Sequence, residues 1–258
     1  VAVFLIESGG SWLVDTGAAT LESVESLGAA LDEELGPGGM PDGVVLTHSH
    51  LDHAGGLEAL GSEVAVAHRE TADLYEADER TPCGQPFRTV EGKAGSLPDL
   101  PGWEWVLGEG HAPGHLMPWH PASGTLLAID QFLLGLKTPL RIADPSEDSF
   151  GSYLATLDRV EELEPVVMHS SHTEPIGQPA AWLDRERRRL RRQLARARLA
   201  VREGARTAEA VTERTYGSIP GPGARQLLLR EKLAALRHLA SRGEIRRVWV
   251  DGQESFEG

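Results

Sequence analysis

Cysteine is almost missing from this sequence: Cys83 is the single one in 258 residues. That excludes an intrachain disulfide framework and any metal centre built on several thiolates. It fits a reducing compartment, so a cytoplasmic location is expected. Long apolar runs are lacking too, and none approaches the roughly 18–20 residues of a membrane span, so no membrane partner is expected. The N-terminus carries no basic segment followed by a cleavage site, which argues against a signal peptide. It opens on the apolar run Val1–Ile6, which leaves room for a natural start further upstream. Basic residues are scarce in one part only. Residues 1–180 contain 7 Lys/Arg against 29 Asp/Glu, whereas 181–258 contain 18 against 10, within a net charge of −14. Such asymmetry predicts a boundary near residue 180, with a larger domain at 1–180 and a smaller one at 181–258. The acidic body argues against nucleic acid lying across the whole surface, while the basic tail leaves local binding open. Hydrophobic and charged contents of 40% and 25% are those of an ordinary globular protein.

What is abundant is histidine in one place. His48-Ser49-His50-Leu51-Asp52-His53 puts three imidazoles and one carboxylate into six residues, after the apolar run Gly43–Leu46. Imidazole and carboxylate are the ligands that hold zinc and similar divalent ions. In an extended segment His48 and His50, two apart, face the same way. This HxHxDH pattern resembles that of the metallo-β-lactamase fold superfamily. The resemblance implies an α+β chain with a four-layer αββα arrangement and further ligands downstream.

The order of elements fits. Val3–Ile6 and Trp12–Val14 read as strands, and Asp15-Thr16-Gly17 closes the second. The resemblance puts Asp15 behind the metal loop, while a cap or turn role is the plain alternative. Thr20–Leu35 has helical spacing and ends at Gly36-Pro37-Gly38-Gly39. Strands are expected at 44–47, 63–67 and 103–107, and a helix at 148–163. Gly55 and Gly56 suit a close backbone approach. His68 matches no ligand pattern and is expected at the surface or behind the site. Residues 78–102 read as a long loop that could help form a substrate cleft.

The resemblance implies the remaining ligands. In the Gly110-His111-Ala112-Pro113-Gly114-His115 run, His111 directly follows a strand and is taken as the ligand. His115 stays an alternative, because the Pro-Gly-His wording ends on it. Asp130 takes the place of the bridging carboxylate, with Ile129 where a glycine is usual. His172 in His169-Ser170-Ser171-His172-Thr173 takes the last ligand place, with Ser171 and Thr173 where glycines are usual. The implied set is His48, His50 and His111 on one metal, Asp52, His53 and His172 on a second, and Asp130 between them. Two Zn2+ per chain are implied, with Fe or Mn as substitutes. The redox members of the superfamily usually show Glu where His50 stands. Two such cations activate a water for attack on a carbonyl or phosphoryl centre, and Asp52 is the implied catalytic residue that orients it and moves its proton.

After residue 180, Ala181–Glu203 reads as a helix with an apolar stripe and ten arginines from Arg185 to Arg206. Their plain reading is a solvated face. Thr207 reads as the N-cap of Ala208–Tyr216. Gln226–Arg242 and a hairpin turning at Asp251-Gly252 complete the order of a winged helix, which a subset of the superfamily carries. The implied function is hydrolysis of a thioester, ester or lactone of a small molecule, similar to glyoxalase II. Two alternatives are a metal-dependent RNA nuclease or phosphodiesterase, and a DNA-binding winged helix with a metal-binding sensor domain. Nothing in the sequence indicates an oligomeric state.

Overall fold

The structure is a computed structural model and describes residues 1–62, 64–77, 87–217 and 221–258. Glu63 and Cys83 lie outside the described residues, as does most of the first half of the expected 78–102 loop. The chain divides into two compact units, 1–137 with 163–179, and 138–162 with 180–258.

The first unit contains two five-stranded sheets. In the first sheet, β1 (Phe4–Glu7) pairs antiparallel with β2 (Ser11–Val14). Then β3 (Gly43–Leu46), β4 (Ala65–His68) and β5 (Arg88–Val90) follow in parallel. The second sheet runs in the order β10-β9-β8-β7-β6, from β6 (Ala94–Ser96), β7 (Glu104–Gly108), β8 (His115–His120), β9 (Thr125–Ile129) and β10 (Val167–Ser170). Only its β9–β10 pair is parallel. The region read as an unbroken loop at 78–102 therefore contains β5 and β6. Both are three-residue strands, too short to show alternation.

Strands β2, β3 and β4 are apolar on both sides because both of their faces are covered. Trp12, Val14, Val45 and Val66 pack with Trp105, Leu107, Leu116, Leu127 and Ile129 of the other sheet. The alternating residues Leu13, Val44, Leu46, Ala65 and Ala67 pack on the opposite side with Leu31, Leu57, Ala72 and Tyr75. These come from α1 (Leu21–Leu35), α3 (Leu57–Leu60) and α4 (Arg69–Ala77). Helix α1 starts where the Thr20 hydroxyl accepts a hydrogen bond from the Ser23 amide. The unit thus shows three layers, helix on sheet on sheet. The expected 148–163 helix exists as α5 (Ser149–Glu162), but it groups with the second unit.

That second unit also holds α6 (Pro179–Arg202), α7 (Ala208–Tyr216), α8 (Pro222–Ser241) and the hairpin β11 (Arg246–Val250) with β12 (Gln253–Glu257). Its core joins Ala197, Val201, Val211, Leu236, Leu239, Ile245 and Phe256. Thr207 caps α7 as its sequence position suggests, accepting from the Ala210 amide.

Two local features set up the site. The short helix α2 (Leu51–Ala54) is followed by a turn pressed against the end of β2, where the Gly56 amide donates to Gly17 O. A Cβ on Gly56 would lie 2.3 Å from Thr16 O, and one on Gly55 2.3 Å from Leu51 O. Further on, Ile129 has φ +53° immediately before Asp130. A β-branched residue in that region is strained, by about 1–3 kcal/mol. The expected outcome for Gly56→Ala is a loss of about 2 kcal/mol or more, since the clash is with backbone. Denaturant unfolding checks it, and unchanged stability would show that the turn does not need this close approach.

Candidate metal centre

Most predicted ligands come from the end of a strand or the connection that follows it, while Asp52 and His53 lie in α2. Thr47 and His48 follow β3, and the chain then turns into α2, of which His50 is the N-cap residue. His111 lies in the β7–β8 connection, Asp130 follows β9, and His172 follows β10. The Leu116 amide of β8 donates to Thr47 O at 2.8 Å, tying the second sheet to the histidine loop.

These residues meet. His50 Nδ1 lies 3.0 Å from His48 Nε2 and 3.1 Å from His111 Nε2. One donor atom from each of His48, His50, His111 and Asp130 falls within 4.8 Å of the others, and the same holds for Asp52, His53 and His172. Asp130 touches both groups. Its Oδ1 is 3.3 Å from His53 Nε2, and its Oδ2 is 3.3 Å from His172 Nε2 and 3.6 Å from His111 Nε2. Asp52 Oδ2 is 3.3 Å from His172 Nε2 and 3.8 Å from His53 Nε2.

Behind the loop sits Asp15, fully buried, with φ +62°. Its Oδ1 accepts from the Thr47 amide at 2.8 Å. Its Oδ2 accepts from the Thr47 hydroxyl at 2.8 Å and from His53 Nδ1 at 2.7 Å. The geometry fixes ring tautomers. Thr47 gives its proton to Asp15, so its oxygen accepts from His48 Nδ1, 3.0 Å away, and His48 Nε2 turns a lone pair to the cluster. His53 Nδ1 donates to Asp15, so Nε2 is the atom facing the cluster.

The electrostatics suit a cation. Burial, with the neighbouring imidazoles His115, His53, His111 and His50, holds His48 well below its usual pKa, in the neutral form that binds metals. Burial also works to lower His53, but Asp15 and Asp130 prevail and raise it to about 10, so the two carboxylates favour positive charge at this position. Asp130 is held well below the usual carboxylate range: burial opposes ionisation, and His53 and the Ser171 hydroxyl outweigh it. His53 Nε2 is buried and makes no hydrogen bond among the described residues, with Asp130 Oδ1 3.3 Å away. Converging imidazole nitrogens, two carboxylates and this unsatisfied buried nitrogen fit a divalent-cation site.

The sequence profile of the metallo-beta-lactamase superfamily matches residues 1–172. The chain belongs to this superfamily. Among curated relatives, the probable metallo-hydrolase YqjP of Bacillus subtilis is 25% identical over 85% of this chain and 81% of its own length. The probable metallo-hydrolase YybB of the same organism is 27% identical over 67% of this chain and 80% of its own. A beta-lactamase domain protein from Burkholderia ambifaria shares the fold with a TM-score of 0.85 at 21% identity, covering 99% of this chain and 86% of the other. A metallo-beta-lactamase family protein from Thermus thermophilus gives 0.75 at 23%, covering 99% and 92%.

Within this superfamily fold, the two histidines left open by the sequence are in different places. His111 is in the donor cluster, whereas His115 begins β8 and lies against the His48 ring, centroids 4.7 Å apart and tilted 34°. It is fully buried, and neither of its ring nitrogens has a hydrogen-bond partner among the described residues. Burial and then His111 keep it neutral. His68 departs from the surface position expected as one option: it is buried, with Nε2 donating to Gly92 O at 3.2 Å. Three contributors carried no expected role from the sequence. Thr47 links Asp15 to His48, Ser171 donates its hydroxyl to Asp130 Oδ1, and Thr173 accepts from the Leu134 amide at 2.9 Å. Their signal was available as hydroxyl residues flanking ligand histidines, two of them where glycines are usual.

Removing Asp15 leaves the buried Thr47 amide and hydroxyl without an acceptor. Asp15→Ala is expected to lower stability by about 2–4 kcal/mol in metal-free protein. Chemical denaturation measures it, and a loss under about 1 kcal/mol would mean that the carboxylate is not a structural support.

Proposed function

We propose that this chain is a metal-dependent hydrolase of acyl compounds, namely a thioester, ester or lactone of a small molecule. His48, His50 and His111 would hold one cation, and Asp52, His53 and His172 a second, with Asp130 shared; zinc is the best match to this nitrogen-rich set. The observation that carries the reading is Asp130, whose two oxygens approach histidines of both groups. When bound, such a pair of cations lowers the pKa of a water and takes up charge developing on the substrate oxygen.

The chain's own groups account for the rest. Asp15 and Thr47 fix the His48 and His53 rings, and Ser171 fixes Asp130. Asp52 is half-exposed at the mouth of the cluster, where a carboxylate can orient water and carry its proton. In the reaction R–CO–X–R′ + H2O, the carbon–X bond breaks, a carbon–oxygen bond forms, and Asp52 passes one water proton to the leaving sulfur or oxygen. The products are R–COOH and R′–XH. Four layers in the catalytic domain and a winged helix in α6–β12 complete this reading, and a cytoplasmic location accords with it.

A second reading, RNA cleavage, draws on the basic C-terminal segment and on exposed arginines of α6 such as Arg185, Arg191 and Arg192. The acidic body weighs against it. Salt-dependent RNA binding with metal-dependent cleavage would establish it, and their absence at low salt removes it. Operator-specific DNA binding that survives metal removal would favour a sensor role instead.

Two predictions separate the roles. Purified protein is expected to hold two zinc ions per chain by elemental analysis. His111→Ala should release one or both, and His115→Leu neither; the reverse pattern would exchange their assignments. Asp52→Asn is expected to reduce kcat for an acyl substrate at least about 100-fold. Unchanged turnover with both metals in place would remove Asp52 as the proton carrier.

A further inference from the structure

Leucines stand exposed beside the most polar cluster in the molecule. Leu51, between the donors His50 and Asp52, is 61% exposed. Leu134 and Leu136, in the turn after Asp130, are 38% and 59% exposed, whereas Phe132 and Leu133 just before them are buried. This turn is held at the site, because the Leu134 amide donates to Thr173 Oγ1, next to His172. His172 Nε2 in turn lies 3.3 Å from Asp52 Oδ2, so Leu51 precedes one member of a close pair and Leu134 is tied to the residue that follows the other. Single exposed leucines are ordinary; three within six residues of a donor residue, on two separate segments, stand out. Leu51 and Leu136 are more than half exposed, so the fold itself does not call for apolar side chains at these two positions.

Resting on the acyl-hydrolase reading, we infer that these leucines form an apolar shelf for the substrate and that the substrate carries an extended alkyl or aryl acyl group, of about six carbons or more. Apolar ligand groups bind where apolar surface is already exposed to water, because its removal from water is the driving force. A phosphodiester or a small hydrophilic acyl group would leave the shelf wet and would call for cationic or hydrogen-bonding side chains at the same positions. The donor cluster, where the reacting carbonyl would lie, supplies polar groups. The division of labour is therefore a polar end for chemistry and an apolar rim for recognition.

The test uses the metal-loaded protein and a series of acyl thioesters with one thiol leaving group and chains from acetyl to decanoyl. kcat/KM is expected to rise about two- to fourfold per methylene over the lengths that reach the leucines. Leu136→Ser and Leu134→Ser should flatten the rise while leaving acetyl turnover and metal content unchanged. A binding measurement runs beside it: by calorimetry, octanohydroxamate should bind at least about tenfold more tightly than acetohydroxamate, and lose that advantage in Leu136→Ser. Turnover that is equal at all lengths, with equal binding of the two hydroxamates, overturns the shelf and leaves the acyl-hydrolase reading standing. No turnover of any acyl thioester, ester or lactone overturns that reading, and the shelf with it. A Leu136→Ser protein that keeps the chain-length preference but loses self-association in sedimentation would make these leucines a contact between copies, and likewise overturns the shelf.

Discussion

The buried carboxylate of Asp15 is the constraint on which the centre depends. Cut off from water, it is tolerable only because the Thr47 amide, the Thr47 hydroxyl and His53 Nδ1 all point at it. Those three bonds join the end of β2 to the end of β3 and to α2, and they do so through the residues that carry the histidines. Structure and chemistry share one device: the bonds that make this burial tolerable also select the His48 and His53 tautomers. The Gly55-Gly56 turn belongs to the same device, since a side chain there would push α2 off the Thr16 backbone.

The scaffold around this device is a sandwich with an apolar interior, and its polar residues concentrate where strands end. Val45 looks into the space between the sheets, Val44 and Leu46 look toward the helices, and the next two residues are Thr47 and His48. The second sheet contributes Asp130 and His172 from adjacent parallel strands, which is why residues distant in sequence come within 3.3 Å. The irregular pairing between β9 and β10 near Ile129, and the positive φ of that residue, mark where the second sheet departs from ideal geometry to aim Asp130 inward.

Much of this was legible in the sequence, for particular reasons. Six residues with three histidines and an aspartate are too dense to be incidental, and the apolar run before them fits a strand covered on both faces. Thr207 and the Asp251-Gly252 turn were readable because capping and tight turns depend on local chemistry alone. The choice between His111 and His115 was not, because it depends on which side of the β7–β8 connection meets His48. The Ser171 bond to Asp130 was hidden for a similar reason, being a contact across 41 residues. Strands β5 and β6 were missed because three residues carry no period. The grouping of α5 with the C-terminal helices rather than with residues 1–137 is a matter of long-range packing that charge and composition do not encode.

The central claim is that seven side chains from two sheets form one centre for two cations. Anomalous diffraction from crystals of the zinc-loaded protein, recorded on either side of the zinc absorption edge, tests it directly. Two anomalous peaks about 3.5–4 Å apart are expected, one against His48, His50 and His111, the other against Asp52, His53 and His172, with Asp130 touching both. A single peak distant from Asp130, or a zinc ion ligated by His115 in place of His111, would contradict it.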